Sequence, residues 1–542
     1  MVAEEFWLNI PRELNIADEF VARPAHAHPQ RVAIAGEPRA FTYREVEEAV
    51  NRAANVLRDW SCQPGERVLI VLPDSLAFIA AFFGVVKIGA IAVPVNSLAR
   101  TADYSYYLAD SGAQIAIVHA GALAEFLQAK SACDLRILAI SDAEISDSQK
   151  FSPSTLAGSV FNSVETLDWD ADWRRASSRC ECRPTSANDT AFLLYTSDSG
   201  GTPKAAIHRH ADMLRTSRGY AHGVLGLRAD DLTYSVSKLF FAYGLGNGMY
   251  FPFSVGARTL LDPGKPSPER TAQLLKKYRP TILFSVPTFF AALLREAARG
   301  LTVDCSSLRM AVSAGETLPA EIFEQFRSTF GVEILDGIGS TEMLHMFLSA
   351  RPGQARAGSC GCEVPGCDAK ILSDDGAEVA HGEVGNLWVR GGGAFAGYWN
   401  KPELTARTKK GEWVLTGDKF ICDESGFFRY CGRADDMMKV AGMWVSPGEV
   451  ENALLTHPAV AEAAIVAHAG GNGLIHPAAY VVLKSDVADR SESETVFAQS
   501  IREWLRKKLV SYKCPQEIYF VENLPKTATG KIQRFLLRGA SH

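Results

Sequence analysis

The chain has 542 residues, a formal net charge of −6 and 47% apolar residues. At roughly 100–200 residues per domain, this length indicates two or more domains, and the composition is that of an ordinary globular protein. The small net charge gives no reason to expect nucleic acid or an anionic membrane as a partner. The first residues, MVAEEFWLNIPRELN, are acidic and lack the apolar segment of a secretory signal. We therefore expect a cytoplasmic protein.

Two features suggest a membrane span or a metal site, and neither is convincing. The longest apolar run, residues 76–95, contains Lys87 and ends near Pro94, which favours a buried helix followed by a strand over a membrane span. The cysteines at 360, 362 and 367 lack the paired C-x-x-C units of a structural zinc site. We expect these cysteines to pack in a glycine-rich turn region.

The first two thirds of the chain alternate helical and strand-like segments. Thr42 and Glu45 stand at the ends of a capping box, which predicts a helix running to about Trp60. Short apolar runs separated by helices are typical of α/β layers with mostly parallel sheets. The predicted strands are 67–72, 114–119, 135–140, 191–195, 281–286, 308–314 and 333–335.

The pattern changes after about residue 384, where short strands and glycine turns indicate a β-rich part. The polar sequence GRADD at 432–436 then separates about a hundred residues with their own helices and strands, a sensible size for a small domain. We predict a large N-terminal domain, 1–434, of layered α/β subdomains, and a small mobile α+β domain, 435–542. The predicted elements of the small domain are helices 447–455 and 494–509 and strands 459–467 and 478–483.

Five polar or glycine-rich motifs occur along the chain. The segment YTSDSGGTPK at 195–204 follows an apolar strand, and its small residues let backbone N–H groups approach phosphate oxygens while Lys204 adds positive charge. The others are DGIGSTE at 336–342, TGD at 416–418, GRADDMMKVAG at 432–442 with PGE at 447–449, and PKTATGK at 525–531. Each motif alone is also explained as a plain turn, or, for Ser340 and Thr341, as a helix cap.

In this order and spacing, the five motifs resemble those of the adenylate-forming superfamily of acyl- and aryl-CoA ligases, nonribosomal adenylation domains and luciferases. The resemblance covers almost the whole chain. It implies an AMP-forming acid–thiol ligase: ATP activates a carboxylic acid as an acyl-adenylate, pyrophosphate leaves, and a thiol then takes the acyl group. It also implies ATP, Mg²⁺ and coenzyme A as co-substrates or cofactors.

The resemblance implies a role for each residue at a matching position. The catalytic residues would be Lys531, Thr341 and Glu342, with Glu342 also holding Mg²⁺. Asp435 would be the hinge, and Gly442 would line the CoA tunnel. The ATP- and AMP-binding residues would be Thr196, Ser197, Ser199, Gly201, Lys204, Gly315, Glu316, Asp336, Gly337, Ile338, Asp418 and Arg433.

The phosphate loop departs from the family pattern Thr-Ser-Gly-Ser-Thr-Gly-x-Pro-Lys-Gly. Asp198 stands for the first glycine, Gly200 for the threonine and Ala205 for the last glycine. Asp tolerates left-handed backbone better than most residues, but its charge lies near the phosphates. A catalytically weakened, ligand-binding relative is therefore one alternative hypothesis.

The segments KLFFAYGLGN at 238–247 and GSTEMLHMFL at 339–348 resemble the benzoate-CoA ligase branch. A short aromatic acid needs a flat, closed, apolar slot. Benzoate-specific relatives tend to have isoleucine where Met346 stands, and a flexible methionine reshapes the pocket. Benzoate, 2-aminobenzoate and hydroxybenzoate are the candidate acids. The resemblance implies that the aryl pocket is lined by Ala242, Tyr243, Ala314, Gly339, His345 and Met346.

Two further alternatives stay open. A standalone adenylation enzyme that loads an aryl acid onto a carrier protein would share every ATP residue. A fatty acid ligase would need an open tunnel, which the aromatic residues disfavour. The sequence implies a small aromatic acid, ATP and CoA as partners, and it leaves a homodimer open.

Overall fold

A computed structural model of the chain describes residues 9–129, 134–142, 164–197, 202–440, 443–469, 475–484, 494–526 and 532–538. The candidate residues Ser199, Gly201, Gly442 and Lys531 lie outside the described residues, as do Asp198 and Gly200. The architecture is the mixed α/β fold that the sequence predicts, with two large sheets, a β-rich part and a smaller set of C-terminal elements.

The first large sheet has seven strands in the described part of the chain. Its central strands are parallel, and the last two form an antiparallel hairpin. The described connections between parallel strands contain helices, as expected for crossover connections. In spatial order the strands are Glu165–Asp168, Ile137–Ser141, Ile115–His119, Arg67–Val71, Ile91–Pro94, Thr190–Ser197 and Pro203–Arg209.

The second large sheet has nine strands, of which the central ones are parallel and the edges antiparallel. Its central strands are fully buried, because helices cover a parallel sheet on both faces. In spatial order the strands are Cys362–Glu363, Met346–Ser349, Ile334–Gly339, Met310–Ser313, Ile282–Ser285, Leu232–Ser235, Arg258–Leu261, Val32–Gly36 and Phe41–Thr42.

The β-rich part and the C-terminal elements follow. A five-stranded antiparallel sheet contains Cys367–Leu372, Gly385–Gly391, Lys409–Lys410, Trp413–Cys422 and Phe428–Arg433. A two-stranded ribbon joins Met438–Val440 to Met443–Val445. The last sheet has three strands, Val460–Ala469, Ile475–Leu483 and Glu517–Phe520.

The helices begin where the sequence signals place them. The capping box of Thr42 and Glu45 opens Tyr43–Asp59, as predicted. The apolar run after Ser75 forms a buried helix followed by a strand, also as predicted. The α-helices are Arg23–Ala27, Tyr43–Asp59, Leu76–Lys87, Thr101–Ser111, Leu123–Phe126, Trp169–Arg175, His210–Thr216, Ala242–Leu245, Phe251–Ser254, Pro268–Tyr278, Pro287–Ala298, Ala320–Phe330, Pro402–Thr408, Pro447–Leu455 and Glu494–Arg506.

Short 3-10 and π turns supplement these helices. The π turns are Asp18–Ala22, Ser217–His222 and Gly246–Tyr250, and the 3-10 turns are Ala120–Ala122, Thr341–Met343, Ser511–Lys513 and Arg534–Leu536. None of the helices in the described ranges has both the length and the apolar character needed to cross a bilayer.

Candidate active site

The strands Thr190–Ser197 and Pro203–Arg209 form a hairpin that contains the described residues on both sides of the predicted phosphate loop. Thr196 pairs with Lys204, and Ser197 pairs with Pro203. The strand Thr190–Ser197 runs parallel to Ile91–Pro94, so its carboxyl end lies at the sheet edge where α/β proteins bind ligands. Ala205, where the family pattern has glycine, is fully buried, and its carbonyl accepts a hydrogen bond from Trp399 N at 2.9 Å.

Lys204, on the second strand of this hairpin, and Glu342 face each other. Lys204 Nζ lies 3.5 Å from Glu342 Oε1, and both side chains are almost buried. Tyr398 links the two residues, because its hydroxyl donates to Glu342 Oε1 at 2.5 Å while its ring lies 4.6 Å from Lys204 Nζ. The backbone of Glu342 is fixed as well, since its carbonyl accepts from Phe395 N at 2.7 Å.

Thr341 lies in a short 3-10 turn that is held from two sides. Ser340 caps the turn by accepting a hydrogen bond from Met343 N at 3.3 Å, so the helix-cap interpretation of Ser340 is correct. His208 Nε2 lies 2.8 Å from the carbonyl oxygen of Thr341. The imidazole of His208 stacks on Phe192, so the turn is fastened to the hairpin through this buried histidine.

The predicted adenine wall lies at the ends of two adjacent parallel strands, Met310–Ser313 and Ile334–Gly339. Gly315 adopts φ of +88°, a conformation that favours glycine. Glu316 accepts hydrogen bonds from Thr288 N at 3.2 Å and Thr288 Oγ1 at 3.3 Å. Its carboxylate therefore lies at the N-terminus of the helix Pro287–Ala298, where the helix dipole favours negative charge.

Asp336, Gly337 and Ile338, which are predicted to belong to this wall, lie on the strand Ile334–Gly339. Gly337 and Ile338 pair with Ser349 and Leu348 in the antiparallel edge of the sheet. Asp336 is buried, and burial raises the pKa of its carboxyl well above the usual range. The side chain of Asp336 is therefore directed into the protein.

Asp418 and Arg433 form a pair on neighbouring antiparallel strands. They stand opposite each other in the register, and Arg433 Nη1 lies 3.3 Å from Asp418 Oδ1. The same nitrogen donates to the carbonyl of Thr416 at 3.2 Å. These contacts hold the Asp418 carboxylate in one orientation beside a cationic partner.

Tyr243 connects the predicted aryl pocket to the centre of the nine-stranded sheet. Its hydroxyl donates to the carbonyls of Ser285 at 3.3 Å and Val312 at 3.2 Å. Val312 lies two residues before Ala314, which is buried, as is Ala242 beside Tyr243. Ala242 and Ala314 belong to one hydrophobic core cluster, and Tyr243 packs against it.

His345 is buried among aromatic rings. Its ring lies 5.4 Å from Tyr243, 5.0 Å from Tyr220 and 4.6 Å from Phe251. Burial lowers the pKa of His345 to about 3, so the imidazole is neutral at physiological pH. His345 Nε2 lies 3.1 Å from Asn247 Oδ1 and donates to it, because an amide oxygen only accepts.

Gly337 and Gly339 leave space for Met346 and for the backbone of His345. Met346 pairs with Gly339 across the sheet edge. A Cβ at Gly337 would lie 2.6 Å from Met346 Sδ, and one at Gly339 would lie 2.5 Å from the carbonyl oxygen of His345. Side chains at these two positions would therefore displace His345 and Met346 from the pocket region.

The predicted hinge contacts the end of the chain. Arg538 donates to the carbonyl oxygen of Asp435 at 2.9 Å and pairs with the carboxylate of Asp436. Arg534 Nη1 lies 3.6 Å from Asp436 Oδ2, and Arg534 Nη2 lies 2.7 Å from Glu451 Oε2. The segment 532–538, which directly follows Lys531, is thus bound to the hinge residues.

The sequence analysis missed two residues of the site, Tyr398 and His208. Tyr398 lies 56 residues from Glu342 along the chain, and the sequence around it, GYWN, resembles an ordinary turn. His208 lies inside a strand and contacts Thr341, 133 residues away. No local spacing indicates such contacts, because they are created by the packing of separate sheets.

Comparison with known proteins defines the family. The sequence model of the AMP-binding enzyme family matches residues 21–399, and that of the AMP-binding enzyme C-terminal domain matches residues 449–531. The chain belongs to the AMP-binding enzyme family. The benzoate–CoA ligase of Thauera aromatica is 38% identical over 98% of this chain and 97% of its own length.

Solved structures of similar sequence have the same fold. A crystal structure of an anthranilate CoA ligase in complex with anthranoyl-AMP aligns with a TM-score of 0.87 and 36% identity, covering 98% of each chain. A benzoate CoA ligase from Burkholderia xenovorans aligns with a TM-score of 0.85 and 38% identity, covering 97% of this chain and 99% of that one. The predicted membership of the adenylate-forming superfamily, on its benzoate-CoA ligase-like branch, is confirmed, and so is the predicted class of AMP-forming acid–thiol ligase.

Proposed function

We propose that this protein is an aryl-carboxylate CoA ligase that activates a benzoate-type acid with ATP and transfers it to coenzyme A. The observation that supports this most directly is the convergence of Lys204, Glu342 and Tyr398. Three residues after Glu342, the ring of His345 lies 5.4 Å from that of Tyr243 in the predicted aryl pocket. A related anthranilate CoA ligase binds anthranoyl-AMP, which supports 2-aminobenzoate as a candidate beside benzoate and hydroxybenzoate.

Glu342 has the chemistry of a magnesium ligand. Mg²⁺ prefers carboxylate and phosphate oxygens and keeps several waters. Lys204 and Tyr398 both approach Oε1 of Glu342, so we assign Oε2 to the metal. When bound, Mg²⁺ would shield the negative charge of the leaving pyrophosphate.

The chain's own residues bind and orient the two substrates. We assign Thr196, Ser197, Ser199, Gly201 and Lys204 to the phosphates. Thr341, fixed by His208, is assigned to the α-phosphate. Asp418 is assigned to the ribose hydroxyls, because its carboxylate is a buried acceptor held by Arg433. The adenine would lie against Gly315, Glu316, Asp336, Gly337 and Ile338.

Lys531 is assigned to the developing charge between the acid and the α-phosphate. A carboxylate attacks a polyanion slowly because like charges repel, so a cation at this point stabilises the transition state. Lys531 is three residues from Arg534, a distance of at most about 11 Å between Cα atoms. Arg534 contacts Asp436, which lies close in sequence to Arg433 and the ribose site. The short chain segment between Lys531 and Arg534 therefore supports the assignment.

The contacts of Arg534 and Arg538 with Asp436 and Asp435 also support a hinge at Asp435 between domains 1–434 and 435–542. Adenylation needs Lys531 at the nucleotide, whereas thioester formation needs a path for the thiol, which we assign to Gly442. Rotation of the small domain about Asp435 meets both needs in turn. A thiol with an ordinary pKa near 8.5 supplies some thiolate at neutral pH without a strong base.

The decisive experiment measures pyrophosphate release and aryl-CoA formation with a panel of acids. Benzoate, 2-aminobenzoate, the three hydroxybenzoates and a medium-chain fatty acid are each supplied with ATP, Mg²⁺ and CoA. We expect CoA-dependent thioester with at least one aromatic acid and none with the fatty acid. If pyrophosphate is released but only an added carrier protein is acylated, the acyl acceptor is a carrier protein and not CoA. The absence of pyrophosphate release with every aromatic acid would contradict the proposed function.

A further inference from the structure

A cluster of two histidines and a glutamate lies on the three-stranded C-terminal sheet, outside the candidate active site. His468 and His476 stand directly opposite each other on antiparallel strands. Glu517 pairs with Ala478 on the third strand, two residues beyond His476. Because side chains alternate between the faces of a sheet, all three side chains belong to one face.

The three side chains converge on one carboxylate oxygen. His468 Nδ1 contacts Glu517 Oε2, and His476 Nε2 lies 3.5 Å from the same oxygen. The three potential ligand atoms lie within 4.8 Å of one another. His476 is only 6% exposed, and its Nε2 makes no hydrogen bond in the described part of the chain. A buried imidazole nitrogen is therefore directed into the cluster without a satisfying partner.

The composition and spacing of the cluster suit a divalent transition metal. Imidazole nitrogens and a carboxylate oxygen bind Zn²⁺ at about 2.0–2.2 Å in tetrahedral sites, which puts neighbouring ligand atoms about 3.4 Å apart. The 3.5 Å separation of His476 Nε2 and Glu517 Oε2 matches this value. His468 and Glu517 are partly exposed, which gives a fourth, water ligand access to the ion.

Tyr519 supports the cluster from two residues further along the strand of Glu517, on the same face of the sheet. Its hydroxyl donates to Glu517 Oε2 at 2.9 Å, which orients the carboxylate as outer-shell hydrogen bonds do at metal sites. The ring of Tyr519 packs 5.1 Å from Tyr480, whose hydroxyl donates to the carbonyl oxygen of Leu537 at 3.1 Å. The cluster is thus connected to the segment 532–538 that follows Lys531.

We propose that His468, His476 and Glu517 bind one divalent transition-metal ion such as Zn²⁺, at a site separate from the Mg²⁺–ATP site. The ion joins all three strands of the C-terminal sheet. It binds the folded sheet and not the unfolded chain, so it raises the unfolding temperature of this part of the protein.

The test is a Zn²⁺ titration of the metal-free full-length protein, without ATP, in competition with a chromophoric chelator. Three variants are compared with the wild type: His468→Gln with His476→Gln together, His468→Gln alone, and the exposed His381→Gln as a matched control. We expect one Zn²⁺ equivalent to be lost in the double variant and retained in the control. Tyr519→Phe should weaken the same equivalent by about tenfold.

The partly exposed His468 keeps the test valid if the double variant fails to fold, because its replacement alone should weaken Zn²⁺ binding by at least about tenfold. Cysteines do not confuse the result, since all variants retain them. Wild-type protein that binds no Zn²⁺, or equal binding by wild type, His468→Gln and the double variant, would overturn the proposal.

Discussion

Tyr398 donates a 2.5 Å hydrogen bond to Glu342 Oε1 and places its ring 4.6 Å from Lys204 Nζ. One tyrosine thereby positions the two charged groups that we assign to the metal and the phosphates. A hydrogen bond to a charged group contributes about 1.5–3 kcal/mol, so the orientation of Glu342 depends substantially on this hydroxyl.

Replacing Tyr398 by Phe keeps the ring above Lys204 but removes the hydrogen bond. We expect about a tenfold fall in kcat/KM for adenylation and a higher Mg²⁺ concentration for half-maximal activity. Pyrophosphate release measured across a Mg²⁺ series checks this. Tyr278→Phe, at the end of the helix Pro268–Tyr278, is the control. An unchanged Mg²⁺ dependence would show that Tyr398 does not position the metal ligand.

Lys531→Ala should slow adenylation by about 10²–10³-fold, the usual effect of removing one group that stabilises transition-state charge. Transfer from a supplied aryl-adenylate to CoA should change little. The two half-reactions are measured separately, by pyrophosphate release and by thioester formation. Lys526→Ala is a matched control, since Lys526 is paired with Glu462 at 2.7 Å. Equal loss in both half-reactions would refute the assigned role.

Asp418→Asn should raise KM for ATP by about ten- to a hundredfold and leave KM for the acid nearly unchanged. The reason is that we assign this carboxylate to accept hydrogen bonds from the ribose, and hydrogen bonds to charged groups contribute about 1.5–3 kcal/mol. Steady-state kinetics with each substrate varied in turn will measure the two KM values separately. Asp374→Asn is the control, because Asp374 forms an ion pair with Lys419 but is 68% exposed. A fall in kcat with KM for ATP unaltered would assign Asp418 to another role.

Met346→Ile should shift the preference among acids toward unsubstituted benzoate. A branched side chain fills the space that the flexible methionine can vacate, and a one-methylene difference in a pocket changes specificity by about 10–200-fold. The ratio of kcat/KM for benzoate to that for 2-aminobenzoate is the measurement. Leu348→Ile, two residues further along the same strand, controls for strand packing. An unchanged ratio would show that Met346 does not line the aryl pocket.

Buried neutral histidines should make the fold sensitive to acid. Burial lowers the pKa of His345 from its ordinary 6.5 to about 3, and that of His210 to about 4. Below pH 6.5 the unfolded chain therefore binds protons that the folded protein does not bind. The contribution of these two histidines to the free energy of unfolding is fully present above pH 6.5 and is lost as the pH falls toward 4. Each histidine contributes a slope of about 1.4 kcal/mol per pH unit within this window.

The acid sensitivity is tested by denaturant unfolding at pH 7.0, 6.0 and 5.0. His345→Gln removes one titrating group and should reduce the pH slope, whatever its effect on stability at pH 7.0. The exposed His381→Gln should leave the slope as it is. If His345→Gln and the wild type have the same slope, His345 binds protons equally in the folded and unfolded protein, and the lowered pKa is refuted.

The sequence by itself determined the family, the order of the site motifs and the type of the elements that it predicted, but it missed strands such as Pro203–Arg209 and Leu232–Ser235. The capping box at Thr42 and the apolar run after Ser75 have local causes, and both were predicted correctly. The strand predictions in the α/β part agree with the structure to within a few residues, because buried parallel strands are short, continuous apolar runs.

Only the tertiary structure decided how separate motifs meet. The contact of Tyr398 with Glu342, the support of Thr341 by His208, and the convergence of His468, His476 and Glu517 all join residues brought together by sheet packing. The resemblance implied only that His345 lines the aryl pocket. Its place among three aromatic rings makes it a neutral, packed side chain, because the surrounding burial, rather than the residue type, sets its pKa.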